Sequence, residues 1–233
     1  MAKLKRLLAP AFWKIVKKEK KWVVAPKPGP HKKFESIPLL IIIRDILKLV
    51  DLGSEARKII KRGEILVDGK ARKDHAYPCG LFDVISIPKL KKNYRIVPKS
   101  KGLDLIEISD EEAKLKIFKI KNKTKYKGNK VQLNLHDGKN ILVEKDAYKT
   151  GDSLLVELPN LKIKNHLKLE KGSVGIITGG KNQGELGKVK EIIPGKFRSP
   201  TKIICEILDK ETEVSKENFF VVGKDKPLIK ISD

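Results

Sequence analysis

The stretch "TGGKNQGELGKV", Thr178–Val189, sets four glycines and two lysines into twelve residues. Such a loop suits phosphate, and its flanking residues decide the fold class. A nucleotide-cleaving P-loop needs Gly-x-x-x-x-Gly-Lys-Ser/Thr between a strand and a helix, with the hydroxyl on Mg²⁺ and the helix N-terminus facing the phosphates. Here Val189 follows Gly187-Lys188, and Asn182 stands five residues before Gly187, so the hydroxyl and the first glycine are both missing. The dinucleotide pattern Gly-x-Gly-x-x-Gly fails too, because Asn182 occupies its first glycine position while Gly184 and Gly187 keep the last spacing. The continuation "KVKEII" reads as a strand. The segment is a strand–loop–strand in a β module, and the phosphates it suits are those of a nucleic-acid backbone.

Composition points the same way. The 233 residues predict one to three small modules. Hydrophobic residues make up 40% and aromatics only 6%, so the core is built mainly of Ile, Leu and Val. A net charge of +23 repels itself unless a polyanion neutralises it. The longest apolar run, "IPLLIII" (Ile37–Ile43), is broken by Arg44 and Asp45 and is too short to cross a bilayer. At the front, "MAKLKRLLAPAF" meets Lys14, Lys17 and Lys18 before any long uncharged region, unlike a signal peptide. Cys79 and Cys205 stand far apart with no disulfide framework. The expectation is a soluble cytoplasmic protein without a membrane partner.

Residues 1–36 form a basic N-terminal arm, eleven basic residues against two acidic, net +9. Pro26, Pro28 and Pro30 favour extended backbone there, and so charged an arm is expected to order only against its partner. Trp13 and Trp22 sit among its lysines; both protein packing and stacking on bases fit them. From Ile37 to Leu90 the net charge is +3 and the pattern is helix, turn, helix, hairpin. A buried helix is expected through Val50. Ser54 is expected to cap a second helix ending at Arg62, with Gly63 closing it. Ala56, Ile59 and Ile60 share its apolar arc, while Arg57, Lys58, Lys61 and Arg62 occupy the other. Asp68-Gly69 predicts a two-residue type I′ hairpin turn, and Lys70, Arg72 and Lys73 extend the cationic ridge along the return strand. Residues 91–168, net +9, alternate lysine with apolar residues and read as antiparallel strands of a small barrel. Turns are placed at His136–Gly138 and Thr150–Asp152, one helical turn at Ile108–Lys116 is capped by Ser109, and the lysines lie on the solvated outer face. Residues 169–233, net +2, hold the glycine-rich hairpin and the C-terminal segment. The fold class is therefore α+β in several modules: basic arm, small helix-and-hairpin domain, central antiparallel β-barrel and a C-terminal β-barrel.

Three resemblances add to this reading. "LGSEARKIIKRGEILVDGK" (Leu52–Lys70) resembles the α-L RNA-binding motif of ribosomal proteins, pseudouridine synthases and some tRNA synthetases. "GSVGIITGGKNQGELGKVKEI" resembles the KOW motif of ribosomal and transcription-elongation proteins, with Gly180, Gly184, Gly187 and Val189 on its spacing. Those glycines permit close backbone approach or a tight barrel corner, and Lys181 and Lys188 are candidate phosphate contacts. Both modules in this order, behind the arm, resemble the small-subunit ribosomal protein S4e family over nearly the whole chain, most specifically in "LKRLLAPAFW", "PKPGPHK", "YPCGLFDVISI", "ISDEEAKLK" and "FFVVGKDKP". The ending "PLIKISD" lacks the basic extension of eukaryotic members and suits an archaeal-type protein. The resemblance implies a non-enzymatic constituent of the small subunit that binds ribosomal RNA and meets neighbouring ribosomal proteins. Candidate RNA contacts are Lys3, Lys5, Arg6, Lys14, Lys17, Lys18, Lys32 and Lys33 in the arm, Arg57, Lys58, Lys61, Arg62, Lys70, Arg72 and Lys73 in the ridge, and Lys181 and Lys188 in the glycine-rich hairpin.

Two other classes compete. An RNA-modifying enzyme of the pseudouridine-synthase kind needs a catalytic Asp in a large mixed domain, usually in an Arg-Leu-Asp context, and this sequence lacks that tripeptide. Its four histidines are dispersed, and His75 with Cys79 cannot close a zinc site. No metal, cofactor or small-molecule substrate is therefore expected. A KOW-type elongation factor would carry a partner-binding domain in front, where this chain has an arm and an RNA module; an accessory or assembly factor outside the mature ribosome is the remaining alternative.

Overall fold

A computed structural model of the chain describes residues 3–100, 102–128, 130–144, 146–196, 199–207 and 210–231. It is mostly antiparallel sheet with few helices. Contacts group it into two units, the first covering Met1–Val97 with Leu103–Lys114 and the second Pro98–Gly102 with Leu115–Asp233.

In the first unit the arm is folded. Strand β1 (Lys3–Lys5) pairs antiparallel with β2 (Trp22–Val24). Trp13 between them is fully buried, and its indole N–H donates to the Ser36 carbonyl at 2.9 Å. Arg6 is only 2% exposed; its Nε–H donates to the Val16 carbonyl at 2.5 Å and its guanidinium meets Glu19 at 3.2 Å and Asp45 at 3.8 Å. Further along, the His31 ring nitrogen Nε2 lies 3.0 and 3.1 Å from the two Asp83 carboxylate oxygens, and that carboxylate also accepts the Gly80 N–H at 2.9 Å. A Cβ on Gly80 would lie 2.3 Å from the His31 ring, so glycine is what lets the ring reach Asp83. The arm is folded: one tryptophan, one arginine and one histidine supply buried contacts that its composition conceals.

Strand β3 (Ile37–Pro38) leads into a short helix α1 (Leu39–Ile41), which continues as a π-helical turn over Ile42–Ile46. The expected helix through Val50 stops here. Lys48 adopts φ +50°, and four isoleucines stiff at χ1 crowd a regular α turn. Helix α2 spans Gly53–Arg62 and ends where expected, but its N-cap is Leu52, which supplies no side-chain cap, and Ser54 lies inside it. Gly63, at φ +77°, closes it, its N–H donating to the Ile60 carbonyl. Ala56 and Ile60 are buried in the Ile/Leu core with Ile59 packed beside them. Strands β4 (Leu66–Val67) and β5 (Lys70–Ala71) form the hairpin on Asp68 (φ +52°) and Gly69 (φ +73°). Asp68 is also fixed by its carboxylate, which accepts the Val84 N–H at 3.1 Å. Then β6 (Pro78–Cys79) pairs with β3, and β7 (Val84–Ile87), β8 (Lys92–Lys99) and β9 (Gly102–Ile108) complete a sheet of order β5-β4-β7-β8-β9. The helical turn at Glu112–Lys114 carries the expected Ser109 cap.

The second unit holds two five-stranded antiparallel sheets. In one, β10 (Leu115–Lys125) lies central among β11 (Val131–Leu135), β12 (Asn140–Val143), β13 (Ser153–Glu157) and β14 (Lys162–Leu167), in the order β12-β11-β10-β13-β14. The other has the order β18-β17-β16-β15-β19, from β15 (Val174–Ile177), β16 (Leu186–Ile193), β17 (Lys202–Ile207), β18 (Lys210–Ser215) and β19 (Phe219–Gly223). Both expected turns, at His136–Gly138 and Thr150–Asp152, fall between strands.

The expectation that the lysines of 91–168 all lie on a solvated face fails within β10. Lys116 is fully buried on the same strand as buried Ile117 and Phe118. Its ammonium lies 3.6 Å from Asp137, which Lys139 approaches at 2.9 Å, and both ammoniums face the Phe118 ring at 4.9 and 5.1 Å. Burial alone raises the Asp137 carboxyl, but Lys116, His136 and Lys139 outweigh it and hold it below its ordinary value. Lys119, half-buried, donates to the carbonyls of Lys216, Glu217 and Phe219 at 2.7, 2.9 and 2.8 Å, closing one sheet onto the other with all three of its N–H groups. Burial, and then Lys216, push its ammonium down to about 8.

Candidate nucleic-acid interface

Helix α2 turns its apolar arc into the core, which leaves Arg57, Lys58, Lys61 and Arg62 exposed. The β4–β5 hairpin stands against the helix end: a Cβ on Gly63 would touch Ala71 and the Lys73 chain, each at 3.6 Å. Lys70 and Lys73 are exposed there, so helix and hairpin make one cationic ridge. Among the described residues Arg57, Lys58, Lys61, Lys70 and Lys73 form no ion pair, and Arg62 has only a 3.9 Å contact to Glu64, which Lys89 holds more closely at 2.8 Å. Uncompensated cations on a helix face cost Coulomb energy that an anionic partner recovers. Burial first, and then Arg57, lower the pKa of the nearby His75 against the pull of Asp74.

Not every expected contact is available. Arg6 is a correction: buried and held by Val16 and Glu19 of the arm and by Asp45 of the π turn, it has no reach to an outside phosphate. Arg72 is half-buried, with its guanidinium carbon 4.6 Å over the Tyr77 ring and its Nε buried, so it braces the ridge from behind. Lys14 is exposed but paired with Asp104 at 2.5 Å, and Lys32 with Glu35 at 3.2 Å. Lys5 and Lys18 are exposed, Lys17 is half-buried, and exposed Lys33 lies 5.5 Å from the Phe34 ring. The Lys3 side chain lies outside the described residues. Sequence reading passes over Lys21, whose ammonium faces the Trp22 ring at 5.6 Å; its place beside an exposed aromatic is the signal that marks it.

In the second unit Lys181 and Lys188 are exposed on the glycine-rich hairpin between β15 and β16. The three glycines there do different jobs. Gly187 is tight against Cys205 and Ile207, where a Cβ would come within 3.2 Å. Gly184 combines φ +90° with a Cβ position 2.7 Å from the Lys99 backbone, while Gly180 has φ +96° and open space around it. Gly184→Ala is expected to cost about 3 kcal/mol, adding left-handed strain to a clash with main chain, and Gly180→Ala about 1 kcal/mol. Thermal melts of the two variants check this; equal losses would mean that the contact with Lys99 carries no weight. Among the described residues no three His, Cys, Asp or Glu side chains gather as metal ligands, and no helix is long and apolar enough to cross a membrane.

Comparison with known proteins identifies the family. A family model described as Ribosomal family S4e matches residues 90–163, and one described as RS4NT (NUC023) domain matches residues 2–34. A protein of Archaeoglobus fulgidus, named small ribosomal subunit protein eS4, is 50% identical over 97% of this chain and 96% of its own length. This chain belongs to the eS4 family. An eS4 protein of Methanothermobacter thermautotrophicus is 44% identical over 98% of this chain and 95% of its own. The crystal structure of the 30S ribosomal protein S4e from Thermoplasma acidophilum superposes with a TM-score of 0.69 at 32% identity, covering 82% of this chain and 96% of that one. Within this eS4 chain, the RS4NT match falls on the arm whose buried Arg6 and Trp13 fold it, and the S4e match takes in all of β8 to β13.

Proposed function

We propose that this chain is a structural constituent of the small ribosomal subunit, an RNA-binding protein of the cytoplasmic ribosome and not an enzyme. Full-length kinship with eS4 proteins at 50% identity carries this reading. Small-subunit ribosomal RNA is the polyanion that the +23 charge requires, with neighbouring ribosomal proteins as further partners. In this reading residues 1–36 are a basic arm and 37–90 an α-L module that offers the ridge of α2 and its hairpin to phosphates. Residues 91–168 form a central β-barrel domain, and 169–233 a KOW barrel whose hairpin adds Lys181 and Lys188. Binding is electrostatic and shape-based: exposed lysines and arginines displace counterions while rigid sheets fix the register of folded RNA.

Reconstitution tests the reading. The purified chain, added to small-subunit RNA with the other subunit proteins, is expected to co-sediment with finished subunits and to protect discrete RNA segments from hydroxyl radicals. Release before the mature particle forms would support an assembly factor instead, and protection no different from that given by a simple polycation would remove the specific reading.

A further inference from the structure

The two tryptophans separate cleanly. Trp13 is buried, whereas Trp22 is 43% exposed although it lies within a paired strand. In the β1–β2 register Lys5 lies directly opposite Trp22, so both side chains rise from one face, and Lys5 is exposed. The Lys21 ammonium lies over the indole ring, 5.6 Å from its centroid. The preceding run, Lys17-Lys18-Glu19-Lys20-Lys21, brings four lysines against one glutamate immediately before Trp22 in the chain. A large aromatic this exposed forgoes burial that packing ordinarily recovers. Protein-binding faces that use aromatics are depleted in lysine. An exposed aromatic with one ammonium at its ring and an exposed lysine opposite it on the paired strand matches instead the way proteins hold unpaired nucleotides, where the ring stacks on the base and the lysines take the flanking phosphates.

We infer that Trp22, with Lys5 and Lys21, forms a stacking seat for an unpaired nucleobase of the bound RNA, at a loop, bulge or helix end. A base within a duplex has both faces covered by its neighbours and cannot enter such a seat. The inference rests on the proposed RNA-binding function, which assigns phosphate contacts and leaves base contacts open.

Intrinsic fluorescence tests it on the full chain, because the Trp22 signal is the difference in emission between wild type and Trp22→Leu. The probes are a uridine-rich single strand and a duplex RNA of the same length, both end-labelled so that binding is read independently by anisotropy. The expected result is that the single strand quenches the Trp22 emission and the duplex binds without quenching it. Trp22→Leu is expected to weaken single-strand binding about 5- to 150-fold, the range of one base stack, and to leave duplex binding unchanged. Lys5→Ala and Lys21→Ala, which keep the ring, should retain the quench at saturation while raising the single-strand concentration needed. Single-strand binding with Trp22 emission unmoved overturns the inference and leaves the phosphate reading standing. Equal quenching by both RNAs, or a loss of affinity in Trp22→Leu that is the same for both, overturns it as well. A blue shift of Trp22 seen only on incorporation into subunits, with no response to free RNA, would assign the ring to a protein neighbour and reject the seat. Duplex binding with no single-strand binding overturns the seat alone, and failure of both RNAs to bind would remove the RNA-binding reading itself.

Discussion

Replacing Arg57, Lys58, Lys61 and Arg62 together by alanine is expected to lower affinity for small-subunit RNA by on the order of a hundred- to a thousandfold at moderate salt. It should also flatten the dependence of log K on log salt by about three to four units, since each phosphate contact releases close to one counterion. The reasoning starts from exposure. All four side chains lie on the solvent arc of α2, and three of them have no ion pair among the described residues, so their charge does no internal work. The substitutions leave Ala56, Ile59 and Ile60 in place, and alanine is the better helix former. Losing Lys61 and Arg62 from the last turn forfeits some favourable interaction with the helix dipole, a few tenths of a kcal/mol to about 1 kcal/mol each. The module should therefore keep its circular dichroism while binding collapses. Filter binding across a salt series measures both quantities; a variant with the wild-type slope would show that the ridge touches no phosphate.

The second large effect lies far from any surface. Asp137→Asn is expected to destabilise the second unit by about 3–5 kcal/mol, because it removes the carboxylate charge that faces the fully buried ammonium of Lys116. For a unit of this size that corresponds to a loss of roughly 10–20 °C in melting temperature. The Lys139 side chain is 24% exposed and that of Lys116 fully buried, so the cost falls on Lys116. The pairing of Asp137→Asn with Lys116→Met should recover most of the loss, as an apolar side chain of similar length tolerates burial beside Phe118. Calorimetry of the single and double variants decides the matter: a single-variant cost below about 1 kcal/mol would mean that the ammonium finds water. Acid should mimic the substitution. The folded carboxyl titrates below its ordinary value of 3.8, so its contribution is complete above that pH and is lost as pH falls through the lower folded value.

Much of this architecture was legible residue by residue. Asp68-Gly69 announced a hairpin because few other pairs accept two successive positive φ angles, and the turn is found there. The 3.6-residue spacing of Ala56, Ile59 and Ile60 announced the helix face, and period-2 alternation announced antiparallel strands after residue 90. The missing hydroxyl after Lys188 ruled out a nucleotide loop, and β16 begins at Leu186 where a helix would have been needed. Three readings did not survive contact with the fold. The helix from Leu39 gave way to a π turn ending at Ile46, the arm proved to be folded, and Arg6 proved to be internal. For the arm and for Arg6 the deciding neighbours are remote in sequence, while the helix is ended by crowding within its own segment.

What the sequence determined alone was the class of the molecule: a β-rich, strongly basic chain with one amphipathic cationic helix, built to be neutralised by RNA. Those properties arise from backbone sterics, side-chain periodicity and net charge, all of which act over a few residues or are simple sums. Which of the described basic residues are exposed and which are buried or paired was decided only by tertiary structure. Lys116 meets Asp137 and Lys119 meets carbonyls near residue 217 because distant strands bring them together, and the same long-range packing hides Trp13 against Ser36 while leaving Trp22 exposed. A cation's availability depends on the desolvation and partners it finds after folding, and no local pattern encodes either.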